Sequence, residues 1–378
     1  MNSSMFLLLL FGVFSLGQLG RVSFLNQEIN FYLYEPLLVI GFFYFFIKYR
    51  FKPLKLYYPS YKVIFFFMAS LLFSFFVNFF SFTVIQNLIS SLYFIRLAIY
   101  LLFFCYLFFH LKQIKLRFNN ELLFLFIAVL ITSFIQYFFY PDLQNLIYLG
   151  WDPHYNRMFG VFFDTSTAAA VFGLSFLFMI TEGRFLLAIL SLTALVLTFA
   201  RSGYITLLVS FFYYYVSKKM FKLGILFAAI FIFLLVLVPK QFGQGVGLTR
   251  SFSISSRIAN YQQGIKIWLR SPIFGVGYNR IRYIKEQIGL IDKGDKPYHS
   301  AASISSSYLM VLINGGAVGL ILFISSIFRI IRINRKSSVI VLFVSLLSFF
   351  DNIILHPFIM FLFGSLLVNI NLSGKLRK

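Results

Sequence analysis

Long apolar stretches broken by short basic clusters constrain this chain more than any other feature. Phe65-Phe66-Phe67-Met68 and the run from Leu71 to Val77 carry no charge, and Ser74 is their one polar side chain. A helix that is apolar all round belongs inside lipid or protein. About 20 such residues span the hydrocarbon core of a bilayer. Apolar segments run near 4–20, 31–48, 63–83, 88–109, 122–140, 158–180, 185–200, 203–217, 222–238, 304–328, 338–352 and 354–370. The sequence therefore predicts an all-α polytopic membrane protein with about twelve transmembrane helices, residues 1–378 forming a single membrane domain. Only 12% of residues are charged and 60% are hydrophobic, whereas a soluble domain carries about 25% charged residues.

The formal net charge of +22 would suggest nucleic acid in a soluble protein. Here the cations lie between apolar segments, where they set topology, and no nucleic-acid partner is expected. With the N-terminus placed inside, the inner connections hold Lys48, Arg50, Lys52, Lys55 and Lys62; Lys112, Lys115 and Arg117; Arg184; Lys218, Lys219 and Lys222; Arg329, Arg332, Arg335 and Lys336; and the tail Lys375, Arg377 and Lys378. The short outer connections hold only Arg21, Arg157 and Arg201. The positive-inside rule thus predicts both termini in the cytoplasm. Residues 1–20 lack the basic start of a signal peptide and are read as the first membrane helix. Cys105 is the single cysteine, which excludes an intrachain disulfide.

One outer connection, 239–303, is long, and loops of that length usually carry function. It holds ten basic residues: Lys240, Arg250, Arg257, Lys266, Arg270, Arg280, Arg282, Lys285, Lys293 and Lys296. Glu286, Asp292 and Asp295 are its only acids. Such an excess points to an anionic ligand or an anionic membrane surface. Ile254, Ile258, Tyr261, Ile265 and Trp268 recur at helical spacing, predicting an amphipathic helix near 254–270 that ends at Ser271-Pro272.

Arg157, Arg201 and Arg257 are all predicted on one side of the membrane. An arginine at a membrane boundary either snorkels, pairs or serves a site. Guanidinium groups grip phosphate oxygens through paired N–H bonds, so converging arginines suit a diphosphate. Asp164 is expected to partner an arginine, with a general-base role as the alternative. Asp351 lies at the outer end of the eleventh segment. His299 is placed to take a proton near neutral pH, although a loop histidine is more often simply solvated. No His/Asp/Glu group has metal-ligand spacing, so no metal or other cofactor is expected. Gly243-Gln244-Gly245-Val246-Gly247 lacks the Lys-Ser or Lys-Thr of a nucleotide phosphate loop.

Four stretches then resemble the O-antigen polymerase and O-antigen ligase superfamily. Arg157-Met158-Phe159-Gly160-Val161-Phe162 resembles its Arg-x-x-Gly-x-Phe, and Leu197 to Tyr204 resembles its arginine-glycine turn. Arg257, Trp268 and Ser271-Pro272-Ile273-Phe274-Gly275-Val276-Gly277-Tyr278 resemble a third segment. Ser307-Tyr308-Leu309 with Asn314-Gly315-Gly316 and Gly319 resembles the fourth. The likeness covers roughly 150–325. Ser305-Ser306 stand where the family has His-Asn, and Asn314-Gly315 stands where it has an acid before glycine. Either His299, six residues upstream, serves from a shifted position or the chain does without that histidine.

The resemblance implies a GT-C-like, multi-pass protein of the bacterial inner membrane. It implies a metal-independent, inverting glycosyltransferase taking a glycan from undecaprenyl diphosphate at the periplasmic face. Arg201, Arg257 and His299 are then the candidate catalytic residues. Arg157, Arg250, Arg270, Asp164 and Tyr278 are candidate contacts to diphosphate or glycan. Partners implied are the undecaprenyl diphosphate-linked oligosaccharide, membrane lipids and a chain-length regulator protein. An O-antigen polymerase is the first expectation. A ligase that transfers to lipid A-core is the second, and a lipid-linked glycan flippase or other transporter, which predicts inverted repeats, is the third.

Overall fold

A computed structural model describes residues 2–149, 151–237, 252–292, 299–332 and 335–374. The chain opens with α1 (Ser3–Phe14), a hairpin of β1 (Arg21–Phe24) and β2 (Ile29–Tyr32), then α2 (Tyr34–Tyr49), α3 (Lys52–Val77) and α4 (Val84–Gln113). It continues through α5 (Asn119–Phe139), α6 (Thr165–Thr181), α7 (Phe185–Leu197), α8 (Arg201–Ser217) and α9 (Phe221–Leu237). After the undescribed stretch come α10 (Phe252–Trp268), α11 (Ile281–Gln287), α12 (His299–Ala302), α13 (Ser307–Ile331), α14 (Arg335–Phe350) and α15 (Pro357–Gly374).

Among the described residues, α4, α5 and α13 are long and apolar enough to cross a membrane. Shorter apolar stretches lie in α1, α3, α6, α7, α9, α14 and α15. The protein is thus mostly helical and polytopic. Two compact units divide it, interleaved along the sequence. One comprises Met1–Leu19, Asn119–Ser251 and Ile331–Leu366; the other comprises Gly20–Phe118, Phe252–Ile330 and Leu367–Lys378.

In the first unit α6 is the central element, buried on nearly every side from Thr167 to Met179. Its packing partners are chiefly α7, with α8 and α14. Small residues allow the close approach. A Cβ at Gly203 of α8 would stand 2.9 Å from the Cβ of Ala169, and one at Gly173 would enter the ring of Phe343 on α14. Small side chains at crossings are how membrane helices gain van der Waals contact without a hydrophobic drive between them. Apolar rings fill the rest: Phe14 stacks on Phe361 at 4.8 Å and meets Phe358 edge-on at 5.6 Å.

The sixth apolar segment departs from its expected span. Helix begins at Thr165, not near 158, although Met158 to Phe163 is almost wholly apolar. The backbone decides this. Gly160 and Phe163 both take positive φ, which ends any α-helix there. Gln136 of α5 then satisfies the freed amides, its Oε1 accepting from Phe159 N at 2.9 Å and Gly160 N at 2.8 Å.

In the second unit α2 packs along α4. A buried ion pair joins them: Arg96 Nη2 lies 2.6 Å from Glu35 Oε1. Tyr100 donates to the same oxygen at 2.6 Å, and the Tyr34 and Tyr100 hydroxyls share a bond of 2.6 Å. Both carboxylate oxygens of Glu35 accept hydrogen bonds, as a buried charge requires. Arg96 also donates to the Asn30 carbonyl at 3.2 Å, and Glu35 Oε2 accepts from Tyr32 N at 3.1 Å, so the pair anchors the hairpin. The hairpin pairs Arg21 with Tyr32 and Phe24 with Ile29.

Helix α13 is broken. Gly316 sits at φ 65°, ψ −167°, and the helical ladder stops across it. The loop after α10 fills the gap. Val276 N donates to Ile313 O at 2.9 Å and Gly277 N to Asn314 O at 3.2 Å. In return Ala317 N donates to Pro272 O at 2.9 Å and Val318 N to Ile273 O at 3.3 Å. Ser74 of α3 and Asn78, the residue that ends it, complete the set, donating to Asn314 O at 2.8 Å and Gly275 O at 2.9 Å. Non-helical backbone survives at such depth only where protein groups satisfy it.

Two glycines make the approach possible. A Cβ at Gly275 would stand 2.5 Å from Gly316 N, and one at Gly316 would collide with the backbone at Ile273. Gly319, three residues on, has nothing nearer than Ser70 Oγ at 3.7 Å. Gly316→Ala is therefore expected to lower the thermal unfolding midpoint sharply, by an amount equivalent to at least ~2 kcal/mol. Gly319→Ala should leave it nearly unchanged. Equal midpoints for the two purified variants would contradict the docked break.

Candidate functional site

In the first unit the site forms where the irregular segment 151–164 meets the turn between α7 and α8. That segment is pinned at both ends. Leu143 N donates to His154 O and Asn156 N to Pro141 O, each at 2.9 Å. Met158 N donates to Leu197 O at 2.9 Å. Arg157 is buried, and its Nε donates to the Thr198 carbonyl at 2.9 Å. Gln136 Nε2 holds the Arg157 carbonyl at 3.3 Å.

Arg157 thus fixes the α7–α8 turn, and the turn presents Arg201. Phe199 takes positive φ, and the Thr198 hydroxyl accepts from Ala200 N at 3.2 Å. Arg201 is the first residue of α8 and is half-buried. Its neighbour Ser202 donates to Asp351 Oδ2 at 3.4 Å. Asp164 caps α6: Oδ1 accepts from Ser166 N at 3.2 Å, and Oδ2 accepts from Thr167 N at 2.7 Å and Thr167 Oγ1 at 2.6 Å. This carboxylate is occupied as a helix cap, where the sequence suggested an arginine's partner. His154 and His356 are its electrostatic neighbours, and Asp152 lies within reach of both Arg157 and Asp164. The fold therefore gathers Arg157, Asp164, His154, His356, Arg201 and Asp351 within one unit. The grouping of the two histidines with Asp164 had no signature in the sequence, since His356 follows Asp164 by almost two hundred residues.

The second unit holds the other candidates. Arg257 is half-buried on α10. Arg270, in the turn after α10, is exposed, as is Asp292. Tyr278 is half-buried just beyond the docked loop. Burial pushes its phenol up to about 12, although Arg96 lies near enough to oppose the shift. His299 opens α12. Arg250, Lys240, Lys293, Lys296 and Gly243–Gly247 lie outside the described residues.

Three cations of the basic excess expected to face an anionic ligand or membrane surface are buried instead: Arg280, Arg282 and Lys285. Arg280 is fully enclosed between the rings of Phe75 and Phe82, at 4.3 and 4.5 Å. It donates to Phe75 O at 3.1 Å and to Asn87 Oδ1. Burial pushes this guanidinium down to about 10. Cation–π contacts of this kind partly replace lost hydration. Arg280 so clamps the docked loop to the corner between α3 and α4. Lys285 donates to Ser303 O at 3.0 Å, and burial pushes its ammonium down to about 8. Tyr283, between them, donates to Glu28 at the hairpin tip at 2.8 Å. Among the described residues no group of three or more His, Cys, Asp or Glu could hold a metal ion.

Comparison with known proteins adds one match. The sequence model of the family described as O-antigen ligase matches residues 186–324. That match bears out the resemblance to the O-antigen polymerase and ligase superfamily and supports an activity of polymerase or ligase type. No curated protein matches the chain.

Lys285 yields a pH test. Its folded value, about 8, lies below the ordinary 10.5. Between those values the unfolded chain keeps a proton that the folded chain has released, so stability rises with pH through that window. Relative to Lys285→Met, the wild-type protein is expected to gain thermal stability from about pH 8 to 10.5 and to show a constant difference below pH 7. Parallel midpoint curves across the whole range would show that the lysine is not desolvated.

Proposed function

On the premise that this chain is a relative of the O-antigen ligases, we propose that it polymerises surface polysaccharide. It would join undecaprenyl diphosphate-linked repeat units at the periplasmic face of the bacterial inner membrane, inverting the anomeric centre without a metal ion. The family match over residues 186–324 carries this reading. The matched segment includes Arg201, Arg257 and the docked loop with its broken helix. The bond to be cleaved joins sugar C1 to a diphosphate, already a good leaving group. What it needs is fixed positive charge where negative charge develops, usually the largest catalytic term.

Arg201 and, separately, Arg257 are the residues assigned to meet that charge. Each is half-buried and thus partly open to a ligand. Arg157 is assigned a positioning role, because its Nε is already bonded to the turn that precedes Arg201. The acceptor hydroxyl attacks C1 opposite the diphosphate and loses its proton to a base, for which His299 is the first candidate. Arg250, Arg270 and Tyr278 remain assigned to the glycan or diphosphate; Arg270, being exposed, is the weakest of them.

A ligase is the second reading, favoured by the description of the matching family. It shares the donor and differs in the acceptor, lipid A-core. Purified protein, given undecaprenyl diphosphate-linked repeat units in EDTA, is expected to produce a ladder of longer lipid-linked glycans. Transfer only after lipid A-core is added would establish the ligase. Absence of both products with a cognate repeat unit would return the transporter. Arg201→Ala and Arg257→Ala, tested one at a time, should each lower turnover by ~100-fold or more with normal membrane expression. Arg157→Ala should lower the unfolding midpoint and turnover together, whereas full activity in either of the other two variants would remove that arginine from the mechanism.

A further inference from the structure

Helix α10 leaves one apolar face open. Ile254, Ile258, Ile265 and Leu269 follow one another at intervals of four, seven and four residues, which places them on one side of a helix. Each is between 45% and 61% exposed. The other side holds the helix to its unit. A Cβ at Gly264 would press on Leu309 of α13, Ile267 is fully buried, and Asn260 Oδ1 accepts from Ser305 N at 2.7 Å. The open stripe is therefore not the face that fastens α10.

The stripe continues into the exposed apolar stretch of α3. Beyond Leu269 the chain exposes Ile273 and Phe274. The Phe274 ring meets Phe73 edge-on at 4.9 Å. Phe73 is an exposed residue of α3, within its apolar stretch Tyr61–Val77. One run of open apolar groups thus leads from the side of a membrane helix, across the docked loop, and along α10. Lys266 and Arg270 are exposed beside it. Trp268, an aromatic of the kind that favours headgroup depth, donates from its indole to Pro272 O at 3.0 Å.

We propose that α10 lies flat in the headgroup layer of the membrane that α3 and α13 enter, with the isoleucine stripe in the acyl boundary and Lys266 and Arg270 on the phosphates of anionic lipids. An amphipathic helix with a basic flank binds such an interface through its buried apolar area and its charge. In water the same stripe would be an exposed patch large enough to promote association. Continuity with α3 selects the bilayer over a protein partner, and the basic flank selects anionic headgroups. This seating does not depend on the chemistry proposed above. It does bear on it, because Arg257 lies seven residues before Gly264, on the α13-facing side, and is thereby held at the depth of lipid phosphates.

The test uses the full chain in lipid nanodiscs holding one copy each. In a Cys105→Ala background, single cysteines at Ile258→Cys, Ile265→Cys and Ala259→Cys carry an environment-sensitive fluorophore. Ala259 is exposed off the stripe, about a quarter turn round the helix from Ile258. Nitroxide-bearing lipids are expected to quench the labels at 258 and 265 at least threefold more than the label at 259, and iodide in the buffer should do the reverse. The nitroxide should quench more when carried on phosphatidylglycerol than on phosphatidylcholine, by roughly fivefold per basic residue at most. Lys266→Glu with Arg270→Glu should erase that preference. Equal iodide quenching at all three positions would overturn the proposal by placing the stripe in water. Shielding of 258 and 265 from both quenchers would overturn it by showing a protein surface in place of lipid.

Discussion

The exchange of backbone hydrogen bonds between the loop 272–277 and the break in α13 organises the second unit. A helix interrupted at Gly316 leaves carbonyls at 313 and 314 and amides at 317 and 318 without partners in their own ladder. In an apolar setting each orphan costs several kcal/mol. The loop supplies all four partners, and α3 supplies two more donors through Ser74 and Asn78. Because the bonds are reciprocal, neither the loop nor the break is stable in this form without the other. Two of the recognised sequence stretches, 271–278 and 307–319, are therefore one structural device. Its glycines are there because backbone meets backbone, and Arg280, passing beside Gly277, locks the assembly to the α3–α4 corner.

Charge in this unit is distributed by the same logic. Arg96 has a carboxylate, two aromatic faces and a hairpin carbonyl, so its burial is compensated locally. Among the described residues, Arg280 has rings, an amide oxygen and a carbonyl but no carboxylate. A guanidinium held that way is chosen for shape and stacking as much as for charge, which is why lysine would not replace it. These buried cations stabilise the frame. Arg257, in the same unit, is only half-buried and keeps part of its surface open to solvent.

Much of the architecture was legible in hydropathy. Each apolar stretch contains an α-helix, because a span of side chains that cannot face water has few other solutions. What hydropathy could not give were the places where backbone conformation overrides side-chain character. Met158 to Phe163 reads as helix, yet Gly160 and Phe163 turn the chain left-handed and Gln136 receives the amides. Asn314-Gly315-Gly316 sits inside an apolar run that reads as one continuous helix; only its paired glycines hint at a break. Arg280, Arg282 and Lys285 were counted in the basic excess expected to meet an anionic ligand or membrane surface, yet they are buried. Their interleaving with Ile281, Tyr283 and Ile284 was the one available signal, and it does not say which side is buried. The hairpin at 21–32 was lost for another reason: it is short, and two of its fixed points, Arg96 and Tyr283, are distant in sequence.

The arginines follow from the same contrast between frame and ligand. Arg157 and Arg201 read alike in the sequence, as boundary cations that topology did not explain. The structure separates them by burial, Arg157 being enclosed and Arg201 half-buried. Arg157 spends its Nε on the carbonyl of Thr198, inside a buried segment held by Gln136 and by the strand-like contact of 141–143 with 154–156. A buried donor committed to a backbone carbonyl cannot be withdrawn for a substrate without leaving that carbonyl bare, at a cost of roughly 1–3 kcal/mol. Arg201 begins a helix whose N-cap residue, Ala200, offers no side-chain acceptor to the first turn. The N-terminus of a helix and a half-buried guanidinium together favour an anion through dipole and charge. The turn built by Arg157 is what puts those two features together.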